Sequence, residues 1–151
     1  MTTRDPRALA LAYLAEHRVM TLATRAADDL WAAAVFYAND DFVLYFLSAA
    51  HTRHARHIAV NGQVAATIQE DYRDWPDIRG IQLEGTAELL ADPAEAQRRY
   101  RDRYPFIAGA DEKMQQALAR VGWYKLTPTR LYFIDNSLGL GHRDEIALGK
   151  T

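Results

Sequence analysis

The sequence predicts a mainly β protein with peripheral helices, its strands forming a closed or half-closed antiparallel barrel. Three observations carry this. The β-branched and apolar runs are short and bounded by turn-forming residues. Their order, helix, three strands, helix, two strands, two helices, strand, contains more hairpin links than crossovers, which argues against a doubly wound parallel sheet. A length of 151 residues with 49% hydrophobic and 25% charged residues suits a single domain spanning 1–151.

Asp5 followed by Pro6 reads as an N-cap with proline at the first helical position, and Leu9, Ala12 and Tyr13 share a face, so the first helix runs to near Arg18. Residues 19–24 form a strand, 26–29 a turn and 30–38 a second strand, after which Asn39, Asp40 and Asp41 close a hairpin. The run FVLYFL at 42–47 is nearly all apolar and suits a strand covered on both faces. Ala55, Ile58 and Ala59 then recur with helical spacing, and Asn61-Gly62 stops that helix. Strands follow at 64–69 and 78–90, separated by the turn-like stretch 71–77 with Trp75-Pro76. Asp92-Pro93 with Glu95 reads as a capping box opening a helix to about Tyr104. Another helix covers 111–121, and the last strand, 123–135, is interrupted at Thr127-Pro128. Gly139-Leu140-Gly141 reads as a turn, because no helix can follow it to cap a dinucleotide.

Composition removes several chemistries. The chain has no cysteine, which excludes disulfides, thiolate metal sites and a cysteine nucleophile, and fits a reducing compartment. Lys+Arg 18 against Asp+Glu 20 gives a net charge of −2, so no global field favours nucleic acid or anionic lipid. No apolar run approaches the ~18 residues of a membrane span. The expectation is a cytoplasmic protein with neither membrane nor nucleic-acid partners. Neither Ser48 nor Ser137, the two serines, sits in a G-x-S-x-G elbow.

Chemistry concentrates in residues 48–57, SAAHTRHARH, between a buried strand and a helix start. Ser48, Thr52, Arg53 and His54 add hydroxyl and cationic donors to the backbone N–H groups of that helix, the composition of an anion site. A polar connection with a solvated basic face has the same composition, and both readings stay open. His51 and His57 lie about 120° apart around a helix of 3.6 residues per turn, so the three histidines of this run cannot share one ion and no metal is expected. Arg98, Arg99, Arg101 and Arg103, interleaved with Tyr100 and Tyr104, are diluted by Asp92, Glu95 and Asp102 and read as a solvated helical face.

Three stretches carry a family resemblance: LWAAAVFY at 30–37, LYFLS followed by TRH across 44–54, and GIQLEGTA at 80–87. Residues 19–90 resemble the pyridoxamine 5′-phosphate oxidase-like flavoproteins with the FMN-binding split β-barrel, in particular a small bacterial subgroup. That resemblance implies a strand backbone laid along the isoalloxazine ring at Ala33, Ala34, Val35 and Phe36, and a phosphate site at Ser48, Thr52, Arg53 and His54. His54 replaces the family's usual lysine, so phosphate affinity there is expected to depend on pH near neutrality. Gly80 stands where the oxidase has a ring-contacting glutamine, and Gln82, with the same parity, stands in for it. The oxidase's arginine-rich substrate signature has no counterpart in 136–151, so vitamin B6 oxidation is not implied. The resemblance implies an FMN-binding homodimer acting as a flavin-dependent oxidoreductase on a small molecule, with no catalytic residue assigned. The alternative is a haem-binding or haem-handling protein on the same barrel, with His142 or a histidine of 51–57 as axial ligand.

Overall fold

A computed structural model describes residues 3–149. In chain order the elements are α1 (Pro6–Glu16), β1 (Val19–Ala26), β2 (Asp29–Phe36), β3 (Ala38–Asp40), β4 (Val43–Ser48), α2 (Arg53–Val60), β5 (Gln63–Gln69), β6 (Arg79–Leu89), α3 (Ala94–Arg103), α4 (Pro105–Ala108), α5 (Glu112–Ala119), β7 (Gly122–Asp135) and β8 (Arg143–Glu145). Short 3-10 turns cover Trp75–Asp77 and Asn136–Leu138. The strands form one antiparallel sheet in the order β2-β1-β5-β6-β7-β4-β3, with β8 paired to the second half of β7. β2 and β3, the ends of that order, are consecutive in the chain, and the sheet curls until β2 lies against β4 without a ladder between them. This is a split β-barrel, mainly β with peripheral helices, as the sequence predicts.

Alternation along each strand sends one set of side chains inward. Met20, Leu22, Leu44, Phe46, Ile68, Ile81, Leu83, Leu131 and Phe133 fill the barrel, closed by Ala10, Tyr13 and Leu14 of α1 and by Ala55 and Ile58 of α2. The Phe46 and Tyr124 rings stack at 5.1 Å. Each fully buried large side chain of this set contributes about 1.5–3 kcal/mol relative to exposure.

The structure corrects four expectations. The strand expected over 30–38 breaks at Tyr37, whose N–H donates to the Arg18 carbonyl (3.0 Å) and whose hydroxyl donates to the Leu14 carbonyl (2.9 Å). The first bond extends the β1–β2 register by one residue, the second anchors the ring on α1, and the chain resumes as β3 beside β4. Asn39 and Asp40 are therefore strand residues, and the turn falls on Asp41 at φ 55°, a conformation aspartate tolerates. Thr127-Pro128 does not interrupt the last strand. β7 runs through it with a bulge that pairs Glu84 with Arg130 and Gly85 with Pro128, absorbing the missing N–H. A Cβ on Gly85 would collide with the Thr127 carbonyl, which is why glycine stands there. The capping box at Asp92 is an Asx turn instead: Asp92 accepts from the Ala94 N–H (3.1 Å), while Glu95 turns to Arg98 and Arg99.

Fourth, the arginine and tyrosine row of α3 is solvated only in part. Arg98 and Arg101 are exposed, but Tyr100 and Tyr104 are buried in a second cluster with Ala38, Tyr45, Ala96 and Trp123. Arg103 reaches back to the Leu14 and Ala15 carbonyls (both 3.0 Å) and lies over the Tyr37 ring, tying α3 to the end of α1. β8 was not expected from the sequence. Gly139 and Gly141, at φ 140° and 73°, form the turn that leads into it. None of the described helices is long and apolar enough to cross a membrane.

Candidate functional site

Thr52 caps α2 by accepting from the Ala55 N–H (3.3 Å), and the helix then crosses the inner side of β1 with Ala55 and Ile58 in the core. This divides its polar residues between two directions. His54 turns toward the end of β4, where its Nε2 and the Ser48 hydroxyl share a 2.6 Å hydrogen bond, with the Thr52 hydroxyl 3.4 Å away. Burial, then the neighbouring His57, push the His54 pKa below the ordinary histidine value, so its ring is neutral near pH 7.

Arg53 and His57, one turn apart, converge on Asp29 at the start of β2. Arg53 grips both carboxylate oxygens, with Nε 3.0 Å from Oδ2 and a terminal nitrogen on Oδ1. His57 Nε2 lies 2.6 Å from Oδ2 and donates, since a carboxylate only accepts. Its Nδ1 is 2.9 Å from the Thr24 hydroxyl, which fixes the ring from behind. Hydrogen bonds from Arg53 and then His57 hold the Asp29 carboxyl down at about 2. The Arg53 guanidinium also lies 4.2 Å over the Trp31 ring.

β2 lies at one end of the sheet order, with β1 as its hydrogen-bonded neighbour. By register with Thr24 and Leu22, Trp31 and Ala33 face the α2 side, as does Val35 opposite Met20. Leu30, Ala32, Ala34 and Phe36 face outward. Leu30 is 72% and Phe36 47% exposed, leaving an apolar edge and outer face uncovered in the single chain.

The sequence-derived site residues thus fall into three groups. Ser48, Thr52 and His54 meet at the start of α2, whereas Arg53 turns the other way, onto Asp29. Ala33 and Val35 point toward the α2 side, whereas Ala34 and Phe36 point outward. Gln82 is exposed on the outer face of β6, between the inward Ile81 and Leu83, and accepts from Arg143 (3.3 Å). It shares a cross-strand row with Ala34 through Thr21 and Thr67. The row puts Ala34 and Gln82 about 14 Å apart at the usual strand spacing, and Gln82 lies on the face opposite α2.

Asp29, Trp31 and Thr24 were not singled out from sequence, and His57 was weighed only as a metal ligand. The available signal was the i, i+4 spacing of Arg53 and His57, which puts two basic side chains on one side of a packed helix and calls for an acid opposite. No group of three or more His, Cys, Asp or Glu residues is arranged for a metal among the described residues.

The pyridoxamine 5′-phosphate oxidase family matches residues 7–135. A UPF0306 protein of Photorhabdus laumondii is 33% identical over 135 residues, covering 87% of this chain and 88% of that protein. A UPF0306 protein of Yersinia pseudotuberculosis is 30% identical over 147 residues, covering 95% and 94%. Among solved structures, a Listeria innocua protein assigned to pyridoxamine 5′-phosphate oxidase superposes with a TM-score of 0.69 at 20% identity, over 85% of this chain and 98% of its own. A haem-binding protein from Mycobacterium smegmatis gives 0.77 at 19% identity, over 97% of this chain and 59% of its own. The haem storage protein HutZ of Vibrio cholerae gives 0.70 at 16%, over 85% and 94%. These structural likenesses establish the fold, and the sequence matches establish descent: the chain belongs to the pyridoxamine 5′-phosphate oxidase family, among its UPF0306 relatives.

Proposed function

We propose that this protein is an FMN-binding flavoprotein that works as a homodimer and exchanges electrons with a small molecule. The carrying observation is an anion-gripping guanidinium beside an open apolar edge: Arg53 stacks on Trp31, the first inward aromatic of β2, and Ala33 and Val35 continue that side of the strand. A ligand with a phosphate at one end and a flat apolar ring at the other fits this juxtaposition. The donor set suits a phosphate monoester, because Arg53 already holds a carboxylate bidentately and the His57 Nε2–H points at the same group. FMN would supply the electron chemistry, while the chain binds the phosphate, orients the ring along β2 and excludes water from it.

The homodimer is supported by two features. The outer face of β1 and β2 exposes Val19, Leu30 and Phe36 around small residues, and such an apolar edge calls for a cover. Gln82, opposite α2 in its own chain, comes within reach of a ligand on Arg53 only from a second copy. Sedimentation at micromolar concentration is expected to give twice the mass of one chain, and a monomer that binds FMN tightly would overturn the shared site.

The decisive test is Arg53→Ala, with FMN and riboflavin titrated in parallel. FMN affinity is expected to fall about tenfold or more, the loss of a charge-assisted bidentate contact, with riboflavin unchanged. Equal loss for both ligands would remove Arg53 from the phosphate site.

A haem-binding reading is favoured by the haem-associated proteins among the structural neighbours. On this chain His54 and His57 are buried with hydrogen-bonded rings, which leaves the exposed His51 and the half-buried His142, near Asp144 at 3.3 Å, as candidate axial ligands. The absorption spectrum of the purified protein separates the two: paired near-ultraviolet and blue bands for flavin, one intense violet band for haem.

A further inference from the structure

We propose that Asp29 is a self-supplied anion that occupies the Arg53 and His57 donors in the ligand-free protein and has to leave them for a phosphate monoester to enter. The inference rests on the phosphate reading of Arg53 given above and adds to it a residue that sets the affinity of the seat.

Three hydrogen bonds converge on the Asp29 carboxylate, two from Arg53 and one from His57. Two planar oxygens taken by one guanidinium fork, with a third donor alongside, is how this set would take two oxygens of a phosphate. The donors are anchored and the acid is not. His57 is buried and pinned by Thr24, and Arg53 is braced on Trp31. The Asp29 side chain is 49% exposed and follows a turn in which Ala27 adopts φ 52°. Leaving the seat costs Asp29 little desolvation, since water can receive the freed carboxylate, whereas the donors are already oriented for the next anion.

Charge sets the direction of the effect. With Asp29 seated, the Arg53 charge is neutralised and a dianionic phosphate meets a carboxylate instead of a free cation. Two anions cannot share the fork, so every phosphate bound has Asp29 displaced, and the apparent affinity is lowered by the strength of the internal contact. A neutral ring without phosphate does not compete and escapes this cost. Asp29 therefore acts as a filter that rejects weak anions and admits those with enough charge or ring contact to replace it.

The test measures dissociation constants of inorganic phosphate, FMN and riboflavin for the wild type, Asp29→Asn, Asp29→Ser and Arg53→Ala. Asp29→Asn and Asp29→Ser are expected to tighten phosphate and FMN about tenfold, the scale of one like-charge contact near a surface, with riboflavin unchanged. In the wild type, the NMR signal of the Asp29 carboxyl carbon is expected to shift as inorganic phosphate is added. If both Asp29 variants bind phosphate and FMN no tighter than wild type while Arg53→Ala binds them more weakly, the phosphate seat stands and the role of Asp29 is overturned. If Arg53→Ala leaves both affinities unchanged, the seat and the filter fall together.

Discussion

On one side of α2 the His54 ring, 8% exposed, meets a serine hydroxyl, and on the other Arg53 and His57 meet a carboxylate that is about half exposed, at 49%. Both contacts use the same turn of helix and similar residue types, yet burial gives them different consequences. The inner pair has lost its water, so each partner depends on the other and the histidine stays neutral. The outer pair of Arg53 and Asp29 keeps its charges because solvent is within reach, and exposed ion pairs exchange partners at low cost. A helix can thus hold itself in place with one face while offering the next face to a ligand.

The comparison breaks most visibly at Ser48. Ser48→Ala leaves His54 Nε2 with only the longer Thr52 contact in a buried setting, and about 1–3 kcal/mol of stability should be lost in denaturant titrations at pH 8. A midpoint unchanged from wild type would mean the inner pair does not hold α2.

Acid sharpens the contrast, because the two sides fail in different pH windows. The folded pKa of His54 lies below its ordinary 6.5, so the unfolded chain binds the proton first. Its contribution is present above pH 6.5 and is lost as pH falls through the lower folded value. Asp29, lowered from 3.8 to about 2, contributes above pH 3.8 and loses that contribution as pH falls through about 2. Thermal melts of wild type should therefore weaken first in mild acid. His54→Gln should flatten that early limb, and Asp29→Asn should flatten only the limb below about pH 4, near the free carboxylate value. An early limb identical in wild type and His54→Gln would assign it elsewhere.

The smallest expected effect is Asp29→Asn at pH 7, where the thermal midpoint should stay within about a degree of wild type, as for other surface ion pairs. A large drop would make the outer cluster structural and erase the contrast between the two sides.

What was legible in the sequence follows from what is local. Strand alternation, Pro6 after Asp5 and the stop at Asn61-Gly62 are short-range signals, and the elements appear where they indicate. The gathering of polar side chains at the start of α2 was legible from residue types alone. The side of the sheet for Gln82 was also readable, since Ile81 and Leu83 flank it with apolar neighbours, but the position of α2 relative to that face depends on how the sheet curls. Asp29 was unreadable as a site residue because its partners lie 24 and 28 positions away on another element. The break at Tyr37 likewise goes with a buried ring bonded to Leu14 of α1, which no period in residues 30–38 encodes.

That break also determines where the barrel's seam is closed. At Tyr37 the first and last strands of the sheet order are joined through a single residue, so this end of the gap between β2 and β4 is pinned by covalent geometry and by a fully buried ring. At the other end of β2 the fastening is the Asp29 contact with α2, the helix that continues from β4. Between these two fastenings the eight residues of β2, about 26 Å of strand, are paired along their whole length to β1, so the seam is closed at both ends of a strand that its neighbour holds throughout.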